Sequence, residues 1–167
     1  MEIWILTLLA LRPKFGSMAQ MYEKRAEREA LNMTDDAYTV FERLSLTNDV
    51  KRRVVNASVL CERAVCALGD DVRYLEQYLT LSAADIAESE GCSRIKIYRL
   101  LKRLLCAAAK KLYALGYDED KMRRDYNDVP LFAKTYARIK RAKSKERKMP
   151  PSKLSFVTAP NAAVASV

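Results

Sequence analysis

The side chains best suited to chemistry lie between Ser93 and Arg103, where cations recur with no acidic residue among them. Guanidinium and ammonium groups donate hydrogen bonds to phosphate oxygens, and a guanidinium also fits the two acceptors on a guanine edge. A serine hydroxyl and a tyrosine phenol add further donors. The segment therefore predicts recognition of a polyanion such as a nucleic acid. The candidate contact residues are Ser93, Arg94, Lys96, Tyr98, Arg99, Lys102 and Arg103.

A helix-turn-helix arrangement would place these side chains on one exposed helix. Ser82 and Ser93 are each suited to cap the start of a helix, and Asp85 is favourable in the first turn after Ser82. Gly91 can adopt the positive φ that a turn between two such helices requires. Apolar residues recur at helical spacing and predict a shared core. The predicted core comprises Ile86, Ala87, Gly91, Ile97 and Leu100, together with Cys92 in the turn and Leu101 and Leu104 in the second helix.

Two interpretations of this arrangement remain open from the sequence. In one, the second helix enters the major groove of DNA and reads it. In the other, the two helices form a hairpin whose role is structural. The lack of acidic residues in the second helix favours DNA binding. Glu90, just before the turn glycine, occupies a position that is often apolar in DNA-binding helix-turn-helix units, and we expect it at the solvent edge.

The segment YLEQYLTLSAADIAESEGCSRIKIYRLLKRLLCAAAKKL resembles the region-four domain of bacterial RNA polymerase sigma factors. It is also similar to the sigma-like domains of small phage and mobile-element transcriptional regulators. The matching features are the YL pair, the IAE-x-x-GCS core and the long second helix ending in KKL, within residues 49–113. Ile95 stands where such domains often carry a polar residue that reads a base. The residues that the resemblance implies meet DNA are Ser93, Arg94, Lys96, Tyr98 and Arg99.

The expected function is that of a sequence-specific transcription regulator that binds double-stranded DNA. Arg94 and Arg99 are the candidates for guanine contacts, and Lys96 and Lys102 are the candidates for phosphate contacts. RNA polymerase is a further candidate partner. A complete sigma factor also needs an aromatic-rich domain that melts the promoter, and residues 18–48 are too short for one. We therefore expect an activator or repressor of the kind that phages encode.

Two other functions stay open. A DNA packaging or recombination accessory protein, such as a terminase small subunit, also uses a helix-turn-helix, and assembly into a ring would favour it. A non-enzymatic module that binds protein or RNA through its basic face would bind duplex DNA weakly and without sequence preference. The sequence does not determine the oligomeric state.

Catalytic and metal chemistry lack the residues that they need. The chain contains no histidine, which excludes Ser-His-Asp, Cys-His and histidine–metal sites. The four cysteines include no C-x-x-C pair, so we expect no zinc site, and they indicate a reducing, cytoplasmic location. The carboxylates at Asp70–Asp71 and Asp118–Asp120 lie beside predicted helix ends, where acids cap helices or are solvated. We therefore expect no enzyme activity, catalytic residue, cofactor, metal or small-molecule substrate.

Composition and periodicity predict an all-α fold: a helical bundle carrying the helix-turn-helix, with a basic C-terminal helix and a disordered tail. Half of the residues are hydrophobic and only 4 are glycine. The expected order is an apolar N-terminal segment, N-terminal helices, the sigma-region-four-like domain, a charged linker with the basic helix, and the tail. The corresponding bounds are 1–17, 18–48, 49–116, 117–149 and 150–167. A helix break is expected at Thr47–Asn48, and the basic helix is expected to run from Leu131 to about Arg147.

The net charge of +9 resides in the C-terminal part of the chain. Residues 121–153 contain 12 lysines or arginines and 3 acidic residues, so the remainder is neutral overall. The basic segment Lys134–Lys153 is expected to add affinity for DNA of any sequence, because its cations would neutralise phosphates. The alternative is a charged face that is only solvated.

The first ten residues, MEIWILTLLA, are apolar but fewer than the about 20 that a transmembrane helix needs. A signal peptide carries positive charge before its apolar run, whereas Arg12 and Lys14 follow this one. Stable membrane insertion is therefore not expected. Two alternatives stay open: either Met18 is the true start of the protein, or residues 1–17 form a short segment that packs on the domain or touches a membrane.

Overall fold

The computed structural model describes residues 1–31 and 34–148, and this part of the chain consists of helices joined by short connections. No strand occurs among the described residues, which confirms the all-α prediction. The predicted tail, residues 150–167, lies outside them. The α-helices of the described part are α1 Glu2–Leu11, α2 Phe15–Ala30, α3 Ala37–Cys66, α4 Val72–Tyr78, α5 Ala83–Ser89, α6 Arg94–Ala114, α7 Glu119–Tyr126 and α8 Pro130–Lys148.

Helix α1 lies at the centre of the fold, where it contacts α3, α4, α6 and α8. Its apolar side chains are buried on all sides, as a helix that is hydrophobic all round requires. The ring of Trp4 lies 4.5 Å from that of Tyr136 and 6.5 Å from that of Tyr126, measured between centroids. Of the alternatives for residues 1–17, a segment packed on the domain is the one that this burial matches. In the described parts of the chain, no helix is both long and apolar enough to cross a bilayer.

Helix α3 is one continuous helix of 30 residues, so the break predicted at Thr47–Asn48 is wrong. Neither residue ends a helix by itself, because each keeps its backbone N–H and adopts helical angles without strain. Thr47 is buried in α3, which packs along α2, and this packing overrides the modest helix propensity of the pair. Asp36 caps the helix start, since its carboxylate accepts the backbone N–H of Thr39 at 3.0 Å. The predicted boundary between residues 48 and 49 falls inside the helix.

The segment predicted as a charged linker contains helix α7, and one side of this helix belongs to the core. Met122 and Tyr126 are fully buried, four residues apart on the same helix face. Tyr126 stacks on Phe132 of α8 with 4.9 Å between ring centroids. Helix α8 begins at Pro130, within one residue of the predicted start at Leu131, and buries Phe132 and Ile139 on the side that contacts α1.

Cys106 falls at an apparent core position in the helical spacing of its sequence, but its thiol is exposed on α6. Leu105 and Ala108 take the buried positions of the helix on either side of it. Among the other thiols, Cys61 is buried, Cys92 is half-buried against the core and Cys66 is exposed.

Candidate nucleic-acid interface

The start of α5 is fixed by a reciprocal pair of hydrogen bonds between Ser82 and Asp85. The Asp85 backbone N–H donates to Ser82 Oγ at 3.3 Å, and the Ser82 backbone N–H donates to Asp85 Oδ2 at 2.9 Å. The backbone hydrogen bond from Ser82 lowers the pKa of the Asp85 carboxyl, with the Ser82 hydroxyl adding to the effect. The cap predicted at Ser82 is therefore confirmed, and it sets where α5 begins.

The turn between α5 and α6 is closed by backbone hydrogen bonds around Gly91. Gly91 has a φ of +59°, in the left-handed region that favours glycine. The N–H of Cys92 donates to the Ala87 carbonyl at 2.9 Å, so this carbonyl at the end of α5 has a hydrogen-bond partner. Ser93 then caps α6, since its Oγ accepts the backbone N–H of Lys96 at 3.3 Å. The chain reverses at the predicted residues and for the predicted reason.

Beneath the turn, α5 and α6 share a buried apolar layer. Ile86, Ala87 and Ile97 are all at most 5% exposed, which agrees with the predicted core. Leu100 is only half-buried at its edge. On the outer side, Glu90 is exposed as expected, and its carboxylate accepts a hydrogen bond from the Tyr74 hydroxyl at 3.3 Å. The remaining predicted members of the layer, Leu101 and Leu104, are buried.

Three cations in the first half of α6 point into solvent without a fixed partner. Within the described parts of the chain, no carboxylate lies at ion-pair distance from Lys96, Arg99 or Lys102, and all three are exposed. Arg103 is also exposed, but its guanidinium lies 3.6 Å from the carboxylate of Asp71. Such an exposed pair contributes little stability, so it is readily exchanged for another anion. This part of α6 therefore presents unneutralised positive charge.

Arg94 differs from these cations because its side chain folds over Tyr98, one turn along the helix. Its Nη2 donates to the Tyr98 hydroxyl at 3.2 Å, and its guanidinium carbon lies 5.4 Å from the centre of the tyrosine ring. The hydrogen bond to Tyr98 raises the pKa of the guanidinium, which stays charged. The residue is half-buried. The two arginines predicted to contact guanine thus differ: Arg99 is exposed and unpaired among the described residues, whereas Arg94 is held against Tyr98.

Exposed Ile95 lies between the two arginines on the outer face of α6. Its side chain is 65% exposed, although burying an isoleucine side chain away from water would be more favourable. The neighbouring Ser93 is exposed as well. An apolar group beside cations on the first turn of a helix is suited to contact a thymine methyl group.

Helix α8 supports the α5–α6 unit through a contact that the sequence did not predict. Lys143 is only 7% exposed, and its ammonium donates to the backbone carbonyl of Tyr78 at 2.5 Å and to Glu146 at 3.3 Å. Glu146 in turn accepts the backbone N–H of Ala83, the first residue of α5, at 3.1 Å. The expectation that Lys143 belongs to a surface that binds DNA is therefore wrong. Its position four residues after Ile139, on the buried stripe of α8, was the available signal.

The opposite side of α8 carries a row of exposed cations. They recur at intervals of three and four residues, so they share one face of the helix. Lys140 is also exposed, near the ring of Tyr136. We call the exposed cations of this face the α8 ridge, and its members are Lys134, Arg138, Arg141 and Lys145.

Two of the acidic side chains near helix ends have structural partners, and one of the thiols is buried. Asp118 caps α7, and Glu119 pairs with the N-terminal amino group of Met1, which lowers the pKa of its carboxyl. Burial raises the pKa of the Cys61 thiol to about 12, so it is not a thiolate near neutral pH. No group of three or more potential metal ligands occurs in residues 1–31 and 34–148.

The arrangement as a whole presents two cationic helix surfaces, and surfaces of this kind suit an extended anion. Its cations lie on α6 and on the α8 ridge, and both helices are anchored in a common core. Comparison with known proteins adds no relative: no family model matches the chain, and neither the curated proteins nor the solved structures contain a match.

Proposed function

We propose that this protein binds double-stranded DNA sequence-specifically through α6 and regulates transcription. The observation that carries the proposal is the exposed face of α6, where Lys96, Arg99 and Lys102 have no ion-pair partner in the described chain and the helix contains no acid. Unpaired cations on a helix favour binding to a polyanion. A helix that follows a tight turn at a glycine can also enter the major groove of DNA. The resemblance to sigma region four supports the same docking mode.

Among the residues of α6, Arg99 is the stronger candidate for reading a guanine. Its guanidinium is free to place two parallel N–H groups against the O6 and N7 acceptors. Arg94 must first give up its hydrogen bond to Tyr98. Lys96 and Lys102 would contact phosphates on either side, and Ile95 would contact a thymine methyl. Loss of a bidentate contact to guanine typically costs about 1–3 kcal/mol of discrimination.

The α8 ridge would supply affinity that does not depend on sequence. Its four cations are exposed, and each phosphate that they neutralise adds about 0.9 to the slope of log K against log salt. Lys143 is excluded from this role because it is buried against Tyr78. RNA polymerase is a further proposed partner, since a regulator of this class acts by recruiting or blocking it.

The experiment that tests the function is selection of bound sequences from random duplex DNA by the full chain at about physiological salt. Arg99→Ala should lose the enriched motif at one position and Arg94→Ala should weaken it less. Arg63→Ala is the matched control, because Arg63 is also exposed but belongs to α3 and not to the cationic face of α6. Circular dichroism checks that each variant stays folded.

Two outcomes would favour a different function or a different DNA-reading element. Binding with no enriched motif, fading as salt rises, would favour a packaging or recombination accessory or a general interaction module. An enriched motif that both arginine variants keep in full would show that α6 is not the reading helix. Separately, replacing the four cations of the α8 ridge by alanine should weaken all duplexes about equally and reduce the salt slope by roughly 3 to 4.

A further inference from the structure

Helix α3 carries an exposed stripe that spans nearly three-quarters of its length and that nothing in the described chain covers. Its members alternate at intervals of three and four residues, which is the a and d pattern of a two-stranded coiled coil. Every one of them is exposed, although α3 as a whole is packed against α1, α2 and α6 on its other sides. We call these residues the α3 stripe, and they are Tyr38, Phe41, Ser45, Asn48, Arg52, Val55 and Val59.

The two ends of the α3 stripe are apolar and its middle is polar. Tyr38 and Phe41 are 72% and 70% exposed at one end, and Val55 and Val59 are 46% and 50% exposed at the other. Leaving two large aromatic side chains in water forgoes the stabilisation that their burial would give. The stripe is therefore a surface suited to contact with another protein.

The valine end differs in shape from the aromatic end. Val55 and Val59 line a groove between α3 and α7, whose other wall includes Tyr117, Arg124 and Asp125. At the aromatic end, beside the connection between α2 and α3, the two rings project from the helix and are more exposed than either valine. One end thus offers bulky side chains and the other end offers a groove that lacks them.

We propose that the α3 stripe is the interface of an antiparallel homodimer, in which Tyr38 and Phe41 of each copy fill the groove beside Val55 and Val59 of the other. A two-fold axis near Asn48 relates the two contacts, so both form at once. A parallel arrangement would place Arg52 against Arg52, and like charges in contact oppose association. The antiparallel arrangement separates the two arginines and brings apolar groups together at both ends.

The charges that flank the two ends fit the same arrangement. Glu42 lies beside Phe41, and Arg124 lies on the wall of the groove; within the described chain, neither has an ion-pair partner. An antiparallel pairing brings the Glu42 of one copy toward the Arg124 of the other. Complementary charge of this kind selects one orientation more than it adds affinity.

The size of the interface requires both helices of the groove. From Tyr38 to Val59 the stripe is about 33 Å long, and a helix presents a face about 10 Å wide. A stable interface of standard size needs about 800 Å² from each partner, more than α3 alone offers. The α7 wall supplies further area, and we therefore place α7 within the interface.

The test is the mass of the purified full chain, free of nucleic acid, by sedimentation and light scattering at about 1–100 µM. The native protein should reach twice its chain mass of 19.0 kDa. Phe41→Glu and Val55→Lys should each raise the dissociation constant about thirtyfold, the size of a hot-spot loss. Leu46→Glu is the matched control: Leu46 is 68% exposed on the same helix but outside the stripe, so this variant should stay dimeric.

Mixing the two variants distinguishes the orientation. In an antiparallel pair, Phe41→Glu meets Val55→Lys at one end and the native residues meet at the other, so mixing should restore a heterodimer. A parallel pair would bring no glutamate to a lysine and would not be restored.

Dimers lost in both variants and regained on mixing support the proposal. It is overturned by a native chain that stays monomeric, by a dimer that both variants keep, or by no recovery on mixing. Unchanged far-ultraviolet circular dichroism shows that the exposed substitutions leave the fold intact.

Discussion

The ammonium of Lys143 lies 3.3 Å from the centre of the Tyr78 ring while it donates to the backbone carbonyl of the same residue at 2.5 Å. Tyr78 is the last residue of α4, where carbonyls have no partner within the helix. A cation there satisfies the carbonyl and also offsets the negative end of the helix dipole. Glu146 neutralises Lys143 and caps the start of α5 through the N–H of Ala83. One turn of α8 thus joins the end of α4 to the start of α5.

The first prediction concerns the Lys143–Glu146 pair, whose side chains are 9% and 14% exposed. Glu146→Ala leaves a buried ammonium unpaired and an α5 N–H without its acceptor, so the free energy of unfolding should fall by about 3 kcal/mol. Lys143→Met keeps an apolar stem and should cost less, about 1–2 kcal/mol. Urea denaturation of both variants and of the double variant measures the interaction free energy between the two side chains. Losses of unfolding free energy that simply add in the double variant would contradict a direct interaction.

The pH dependence of the same pair has a definite sign. Burial lowers the pKa of Lys143 below its usual 10.5, and the nearby Glu146 opposes the shift. Between the lowered value and 10.5 the unfolded chain binds more protons than the folded chain, so this lysine makes the native protein more stable as pH rises through that window. Lys143→Met removes the contribution. As the pH increases toward 10, the protein with Lys143 should therefore gain unfolding free energy relative to the Lys143→Met variant.

The second prediction separates two glycines that differ in backbone conformation. Gly91 has a φ of +59°, and a Cβ built there meets no atom within 4 Å, so any cost of Gly91→Ala is conformational. We expect a loss of about 1–2 kcal/mol in the free energy of unfolding. Gly16→Ala is the matched control, since Gly16 lies in α2 with equal space around it, and it should stabilise by about 0.5–1 kcal/mol. Equal effects at the two sites would contradict this account.

The third prediction concerns α1. Leu6 is fully buried, so Leu6→Ala should lower the free energy of unfolding by about 3–5 kcal/mol through lost burial and a cavity. Trp4 is the only tryptophan in the chain and reports unfolding by its fluorescence. A chain that starts at Met18 lacks the central helix and should not give a cooperative transition. A truncated chain that melts cooperatively would show that the domain does not depend on α1.

The α5–α6 unit could be predicted in detail because its signals are local. Two serine caps, one turn glycine and an apolar stripe lie within 24 residues, from Ser82 to Leu105, and each constrains its neighbours in sequence. The same holds for the start of α8 at Pro130. Local chemistry of this kind is visible without knowledge of the rest of the fold.

The errors arose where packing between distant helices decided the outcome. The pair Thr47–Asn48 continues a helix because α2 packs along it, and Lys143 is buried because α4 supplies a carbonyl for it. The held position of Arg94 depends on a side-chain contact that its spacing from Tyr98 allows but does not require. Contacts of this kind depend on which helices meet, and the periodicity of one helix does not contain that information.

The fourth prediction uses the thiols to measure which surfaces are open. Cys66 and Cys106 are exposed and should react with a thiol reagent within seconds to minutes at about pH 8, whereas Cys61, with a pKa raised to about 12 by burial, should react only after unfolding. Cys92, half-buried in the turn, should be intermediate. Cys106 projects from the exposed side of α6, near Lys102 and its cationic neighbours, so bound duplex DNA should slow its labelling while leaving that of Cys66 on α3 unchanged. Mass spectrometry of the labelled peptides measures each rate. If DNA slowed the labelling of Cys66 and Cys106 equally, the DNA would not be bound at α6.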